Sequence, residues 1–260
     1  MIHLEEAIHR ILEQIPRLGL ERLNILQAQG RVLGEDVVAP RDIPPWDNSA
    51  MDGYALRWTD VRKASPEKPV VLKVLSDLPA GRIYKGRVGP GEALRIMTGA
   101  PLPRGADTVV QVEDTEKAGE AVRIFTGPGK GKNIRRAGED VKAGERVMVK
   151  GTILHPAHIG MLASFQRSFV SVSQQPRVAI LATGDELLEI DESWAGGKIV
   201  NSNSYSLAAQ VGACGGLPIQ LGIAKDQMED LLSKIQQGLI ADILLTSGGV
   251  SMGDYDLVKE

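Results

Sequence analysis

The run Ser247-Gly-Gly-Val-Ser251-Met-Gly253 joins three glycines to two hydroxyls directly after an apolar stretch. Backbone amides freed of side-chain bulk, with Ser247 and Ser251 beside them, can donate to an oxyanion, so Ser247, Gly248, Gly249 and Ser251 are candidate ligand contacts. The same composition also serves as a plain tight turn after a strand. Three acids sharpen the choice: Asp256 lies just beyond the loop, Glu186 ends Thr-Gly-Asp-Glu at 183–186, and Asp226 follows Lys225. Alone they would repel an anion, whereas a hard divalent cation with oxygen ligands, magnesium being the economical choice, would bridge Glu186, Asp226 and Asp256 to it. The competing reading is three helix caps or solvated loop acids.

A second cluster is Pro-Pro-Trp-Asp-Asn-Ser-Ala-Met-Asp-Gly-Tyr-Ala at 44–55, which shows neither helical nor strand periodicity and reads as a site, not an element. Pro44 and Pro45 remove two backbone donors, Trp46 offers an apolar plate, and Asp47, Asn48, Ser49 and Asp52 favour turns. A surface turn uses the same residues. His155 and His158 stand three apart with no visible third ligand, which fits a helix start better than a metal site. Gly127–Lys132 resembles a phosphate loop but has Thr126 where the motif needs glycine and Asn133 where it needs Ser or Thr. The basic run Lys130, Lys132, Arg135, Arg136 is either a solvated edge or a feature that steers an anionic substrate.

These residues need elements to position them. Leu4, Ile8, Ile11, Leu12 and Ile15 predict an amphipathic helix over residues 3–15. Residues 39–145 are rich in Gly and Pro with strand-like runs at 70–75, 93–97, 108–112 and 121–125, which makes a mostly β region. A helix is expected over 155–165. After Pro176 the pattern becomes β-α-β-α-β, with strands at 177–182, 217–223 and 241–246 and helices at 204–213 and 227–239. In an open α/β sheet ligands bind beyond the carboxyl ends of the strands, which puts the loops after 183 and 247 at one edge.

Composition excludes several classes. With 260 residues, 43% of them hydrophobic and 24% charged, and a net charge of -3, the chain is an ordinary globular protein without a nucleic-acid footprint. No apolar run is long enough to span a bilayer, no signal peptide opens the sequence, and the single Cys214 excludes an internal disulfide, so a reducing cytoplasm is expected.

The 44–55 run, together with Arg-Ile-Met-Thr-Gly-Ala-Pro-Leu-Pro at 95–103, Gly-Ala-Asp-Thr-Val-Val at 105–110, Asn-Ile-Arg-Arg-Ala-Gly-Glu-Asp at 133–140, and the motifs at 183–187 and 247–253, resembles the molybdopterin molybdenumtransferase (MoeA) family, which includes the catalytic domain of gephyrin. The resemblance implies an enzyme that inserts molybdate into adenylylated molybdopterin with magnesium and releases AMP. It implies functional roles for Asp52, Thr98, Asp140 and Glu186, links Asp226 and Asp256 to metal and ligand, and places Gly248, Gly249 and Ser251 in a ligand loop.

The resemblance also implies a multidomain protein, α/β plus β-rich. Residues 1–19 would pack on an incomplete, MogA-like three-layer α/β domain at 176–260, residues 20–38 and 145–175 would form a connecting domain, and 39–144 the β-rich domain. It implies a homodimer, with the adenylylating molybdopterin enzyme as a further partner. Family members continue past this point, so the sequence is expected to be a fragment whose activity alone is in doubt. The alternatives are a non-catalytic scaffold of gephyrin type, a fragment that only binds ligand, and the related adenylylating domain, which would lack residues 20–175.

Overall fold

The computed structural model describes residues 2–248, so Gly249, Ser251 and Asp256 lie outside the described residues. The chain divides into two units, Asp36–Val149, and Met1–Glu35 with Lys150–Glu260.

The first unit is built on a six-stranded sheet in the order Thr108–Gln111, Gly53–Leu56, Glu92–Ile96, Val70–Leu78, Ala121–Ile124, Thr115–Ala118. Neighbours are antiparallel except Glu92–Ile96 against Val70–Leu78, which is parallel and bulged between Val74 and Asp77. Side chains alternate across a strand. Accordingly, Tyr54 and Leu56 join one cluster with Leu72, Val110 and Ile124, while Ala55 joins another with Leu78, Leu94 and Val109.

Two pieces of the 44–55 run are therefore strands, Asn48–Ser49 and Gly53–Leu56, which corrects its reading as a site without an element. The reason is burial on both faces. All four residues of Gly53–Leu56 are buried, so no polar alternation marks the strand in the sequence. Gly53 is required by close approach, because a Cβ there would stand 2.0 Å from the Val110 carbonyl oxygen.

In the other unit, Leu20–Asn24 pairs antiparallel with Phe169–Ser173, and the helix Pro156–Ser164 lies between that pair in sequence. The His155 backbone N–H donates to His158 Nδ1 at 2.9 Å, so the two histidines close a helix start. The helix Leu4–Gln14 forms where its apolar stripe predicts, and none of its residues is buried.

The remaining part is an α/β layer. Strands Leu217–Ala224, Arg177–Thr183 and Ile243–Ser247 lie parallel in that order, with Arg177–Thr183 in the centre and buried along nearly its whole length. The helices Ser202–Ala213 and Met228–Gly238 make the two crossovers. Parallel register pairs Thr183 with Ala224 and Ala182 with Ser247, so the carboxyl ends share one edge as the β-α-β-α-β pattern requires. The expected class, α/β with a β-rich unit, is the observed one.

Candidate functional site

At that edge a cavity of about 280 Å³ is lined by Thr183, Glu186, Asn201, Asn203, Ser247 and Gly248, among others. Glu186 is held by the short parallel pair of Leu187–Leu188 with Ile199–Val200, and its carbonyl accepts from the Ile199 N–H at 2.9 Å. Gly248, at φ +106°, has no room for a side chain, since a Cβ would meet the Thr183 carbonyl oxygen at 2.7 Å. Ser247 Oγ accepts from Asn203 Nδ2 at 3.2 Å, which ties the end of the third strand to the start of the Ser202–Ala213 helix.

That helix start was not foreseen as part of a site. Asn201 caps it, its side-chain oxygen accepting from the Ser204 N–H at 3.2 Å. Asn201 and Ser204 are only 3% and 4% exposed, yet Asn201 Nδ2 and Ser204 Oγ have no hydrogen-bond partner among the described residues. The available signal was Asn-Ser-Asn-Ser at 201–204, a capping run directly before the helical stretch.

Asp226 stands on the adjoining loop. Its carboxylate accepts from the Asp185 N–H and the Asp185 carboxylate accepts from the Asp226 N–H, each at 3.2 Å. Thus Glu186, Ser247 and Gly248 come together in one cavity, while Asp226 locks its loop to Asp185. Among the described residues, no three His, Cys, Asp or Glu side chains gather as a metal cluster. A neighbouring cavity of about 430 Å³ is lined by Asp185, Glu189, Lys198, Lys225 and Lys234 with others. The Lys198 ammonium donates to the Asp185 carbonyl and Lys234 donates to the Leu221 carbonyl at 2.8 Å, so two of these cations are already engaged.

The β-rich unit carries the other predicted residues on one rim. Ile134–Arg135 pairs with Asn48–Ser49, and Gly99 N–H donates to the Ser49 carbonyl at 2.8 Å, bringing three chain segments side by side. Asp52 accepts from both the N–H and the hydroxyl of Thr98 at 2.7 Å. These bonds, the N–H first and the hydroxyl next, hold its carboxyl below the usual aspartate range, with Arg95 adding a little. The Ala137 N–H at 2.8 Å does the same for Asp47, opposed by partial burial and helped by Arg136 at 2.5 Å. Asp140 pairs with Arg135 at 2.6 Å, and Glu139 pairs with the same guanidinium at 2.7 Å. Both arginines of the basic run are therefore internally neutralised. In the loop at 127–132, the Gly131 N–H donates to the Asp107 carbonyl at 3.1 Å and to Thr108 Oγ1 at 3.2 Å, so that amide serves the fold and not a phosphate.

A parallel sheet whose carboxyl edge brings Gly248 and a helix start together defines the class: an α/β fold with a β-rich unit. Residues 2–165 match the family model described as MoeA N-terminal region (domain I and II), and residues 179–260 match the one described as probable molybdopterin binding domain. The chain belongs to the MoeA family.

It is 41% identical over 265 residues to the molybdopterin molybdenumtransferase of Nostoc sp., covering 100% of this chain and 61% of that protein. It is 43% identical over 237 residues to molybdopterin molybdenumtransferase 2 of Mycobacterium tuberculosis, covering 91% and 58%. A crystal structure of the molybdopterin biosynthesis MoeA protein from Pyrococcus horikoshii OT3 superposes with a TM-score of 0.89 at 36% identity, covering 95% of this chain and 66% of that one. The chain thus spans about three-fifths of the length of these curated relatives. Among the described residues, no helix is long and apolar enough to cross a membrane.

Proposed function

We propose that the chain acts in molybdenum cofactor biosynthesis as a molybdopterin molybdenumtransferase, inserting molybdate into adenylylated molybdopterin with release of AMP. The observation that carries this reading is the cavity at the sheet edge, where Glu186, Ser247, Gly248 and a helix start face one volume suited to a phosphorylated ligand. The names of its relatives agree with that chemistry.

Magnesium belongs to the proposal. It is a hard ion that commonly takes only one or two protein carboxylates, the substrate phosphates and water completing its shell. The Glu186 and Asp226 carboxylates, on loops that Asp185 ties together, fit that donor set, with Asp256 as a further ligand. Bound there, the ion would offset charge developing at the phosphoanhydride. Glu186 orients the attacking water, Ser247 and Ser251 donate to phosphate oxygens, and Gly248 and Gly249 let the ligand approach the backbone.

Asp52, Thr98 and Asp140 act at the same reaction from the β-rich unit of a partner subunit in a cytoplasmic homodimer. Asp52 is held as a carboxylate by Thr98, and Asp140 is oriented by Arg135. Residues 1–19 pack on the α/β region in that assembly, 20–38 with 145–175 form its connecting domain, and the adenylylating molybdopterin enzyme delivers the substrate.

The test is to mix the chain with adenylylated molybdopterin and magnesium, then add molybdate and follow AMP. The proposal expects a complex that yields AMP only after molybdate is added. AMP release independent of molybdate, a complex that never turns over, or no complex overturns it.

A further inference from the structure

We propose that Asp47 is a positioning residue for Asp140: by holding Arg136 and the Ala137 N–H it leaves Glu139 to Arg135, which in turn orients the Asp140 carboxylate. This rests on the reading of Asp140 as a reacting group of the rim, and adds the residue that decides how Asp140 is presented.

Residues 135–140 turn against residues 43–48. Arg135 pairs with Asn48 in the short antiparallel ladder, and the N–H groups of Gly138 and Asp140 donate to the Pro44 and Ile43 carbonyls, each at 3.0 Å. These bonds fix the backbone of the turn and leave its side chains to be placed by charge. Two guanidinium groups, Arg135 and Arg136, meet three carboxylates, Asp47, Glu139 and Asp140, so more than one pairing is open to the same residues.

The pairing that forms is a relay. Asp47 takes Arg136 Nη1 at 2.5 Å on one oxygen and the Ala137 N–H at 2.8 Å on the other. Glu139 takes the Arg136 N–H at 2.8 Å on one oxygen and Arg135 Nε at 2.7 Å on the other. With its Nε held in this way, the Arg135 fork directs Nη2 onto Asp140 Oδ2 at 2.6 Å.

Asp47 is the member of this group that comes from outside the turn, and it settles which arginine Glu139 keeps. The backbone N–H of Arg136 already lies on Glu139, so a guanidinium released by Asp47 has that carboxylate within the same turn to compete for. All five side chains are partly exposed, and exposed pairs are individually weak, so removal of one charge redistributes the others without unfolding the unit. The loss of Asp47 therefore shows in the placement of Arg135 and Asp140.

The test uses the full 260-residue chain. Asp47→Asn keeps an acceptor for the Ala137 N–H and removes the charge that holds Arg136, with Asp47→Ser as the second variant should Asp47→Asn fold poorly. Asp36→Asn, which breaks another exposed pair of the same unit, with Arg146, is the control. In heteronuclear NMR the Arg135 Nε–H signal is expected to move in Asp47→Asn, to stay in Asp36→Asn, and to return in Asp47→Asn with Arg136→Gln, where the competing guanidinium is gone. For molybdate-dependent AMP release, Asp47→Asn is expected to lower kcat by about tenfold with KM little changed. Arg136→Gln is expected to recover most of that loss, and in an Asp140→Asn background Asp47→Asn is expected to add less than about twofold. A merely structural cross-link would give neither the recovery nor the non-additivity. An unmoved Arg135 Nε–H signal, the same shift from Asp36→Asn, a loss that persists with Arg136→Gln, or full additivity with Asp140→Asn overturns the proposal. If Asp140→Asn leaves AMP release unchanged, or the parent chain releases none, the functional reading falls, and the Arg135 signal with its recovery by Arg136→Gln still decides the relay.

Discussion

The rim of the β-rich unit and the edge of the α/β sheet both present acids and hydroxyls, but they treat them in opposite ways. On the rim Asp47, Asp52, Glu139 and Asp140 each accept from a named donor, and Arg135 and Arg136 are spent on those acids. At the sheet edge Asn201 Nδ2 and Ser204 Oγ are buried without partners among the described residues. A satisfied network fixes geometry, whereas a buried polar group without a partner is a cost the fold carries there. The rim therefore holds its carboxylates in place by named donors, whereas the sheet edge leaves buried polar atoms without partners among the described residues.

The comparison breaks most severely through Glu186. Glu186→Gln keeps the shape and removes the charge, and is expected to lower molybdate-dependent AMP release by about 10²–10⁴-fold, with an unchanged thermal transition. Gly53→Ala probes the other half. The new methyl meets the Val110 carbonyl oxygen, so unit Asp36–Val149 is expected to lose about 3 kcal/mol in a denaturant titration while AMP binding at the sheet edge persists.

The smallest effect is expected on the acid limb of unfolding. Asp47 and Asp52 titrate below their ordinary range when folded, so their contribution is complete above about pH 3.9 and is lost as pH falls through the lowered values. Thr98→Val removes one of the two bonds to Asp52, so the β-rich unit is expected to melt slightly lower at neutral pH, with the difference from the parent chain shrinking as pH falls through the lowered Asp52 value.

Which parts were readable in the sequence follows the same division. The helices Ser202–Ala213 and Met228–Gly238 and the three parallel strands were legible because apolar runs and amphipathic stretches alternate at βαβ spacing. Gly53–Leu56 was not, because a strand covered on both faces shows no alternation, and its glycine and neighbouring Asp52 read as turn chemistry. Glu186, Ser247 and Gly248 were placed together by strand order alone. The mutual bonds of Asp185 and Asp226, and the orphan donors of Asn201 and Ser204, depend on side-chain rotamers and packing that residue types do not specify.

The most direct measurement is an AMP titration of the chain with magnesium, read residue by residue at the backbone amides. The account predicts that the first and largest shifts fall at 183–187, 201–204 and 247–248. Shifts confined to 47–52, 98 and 133–140, with the sheet edge unmoved, would contradict it.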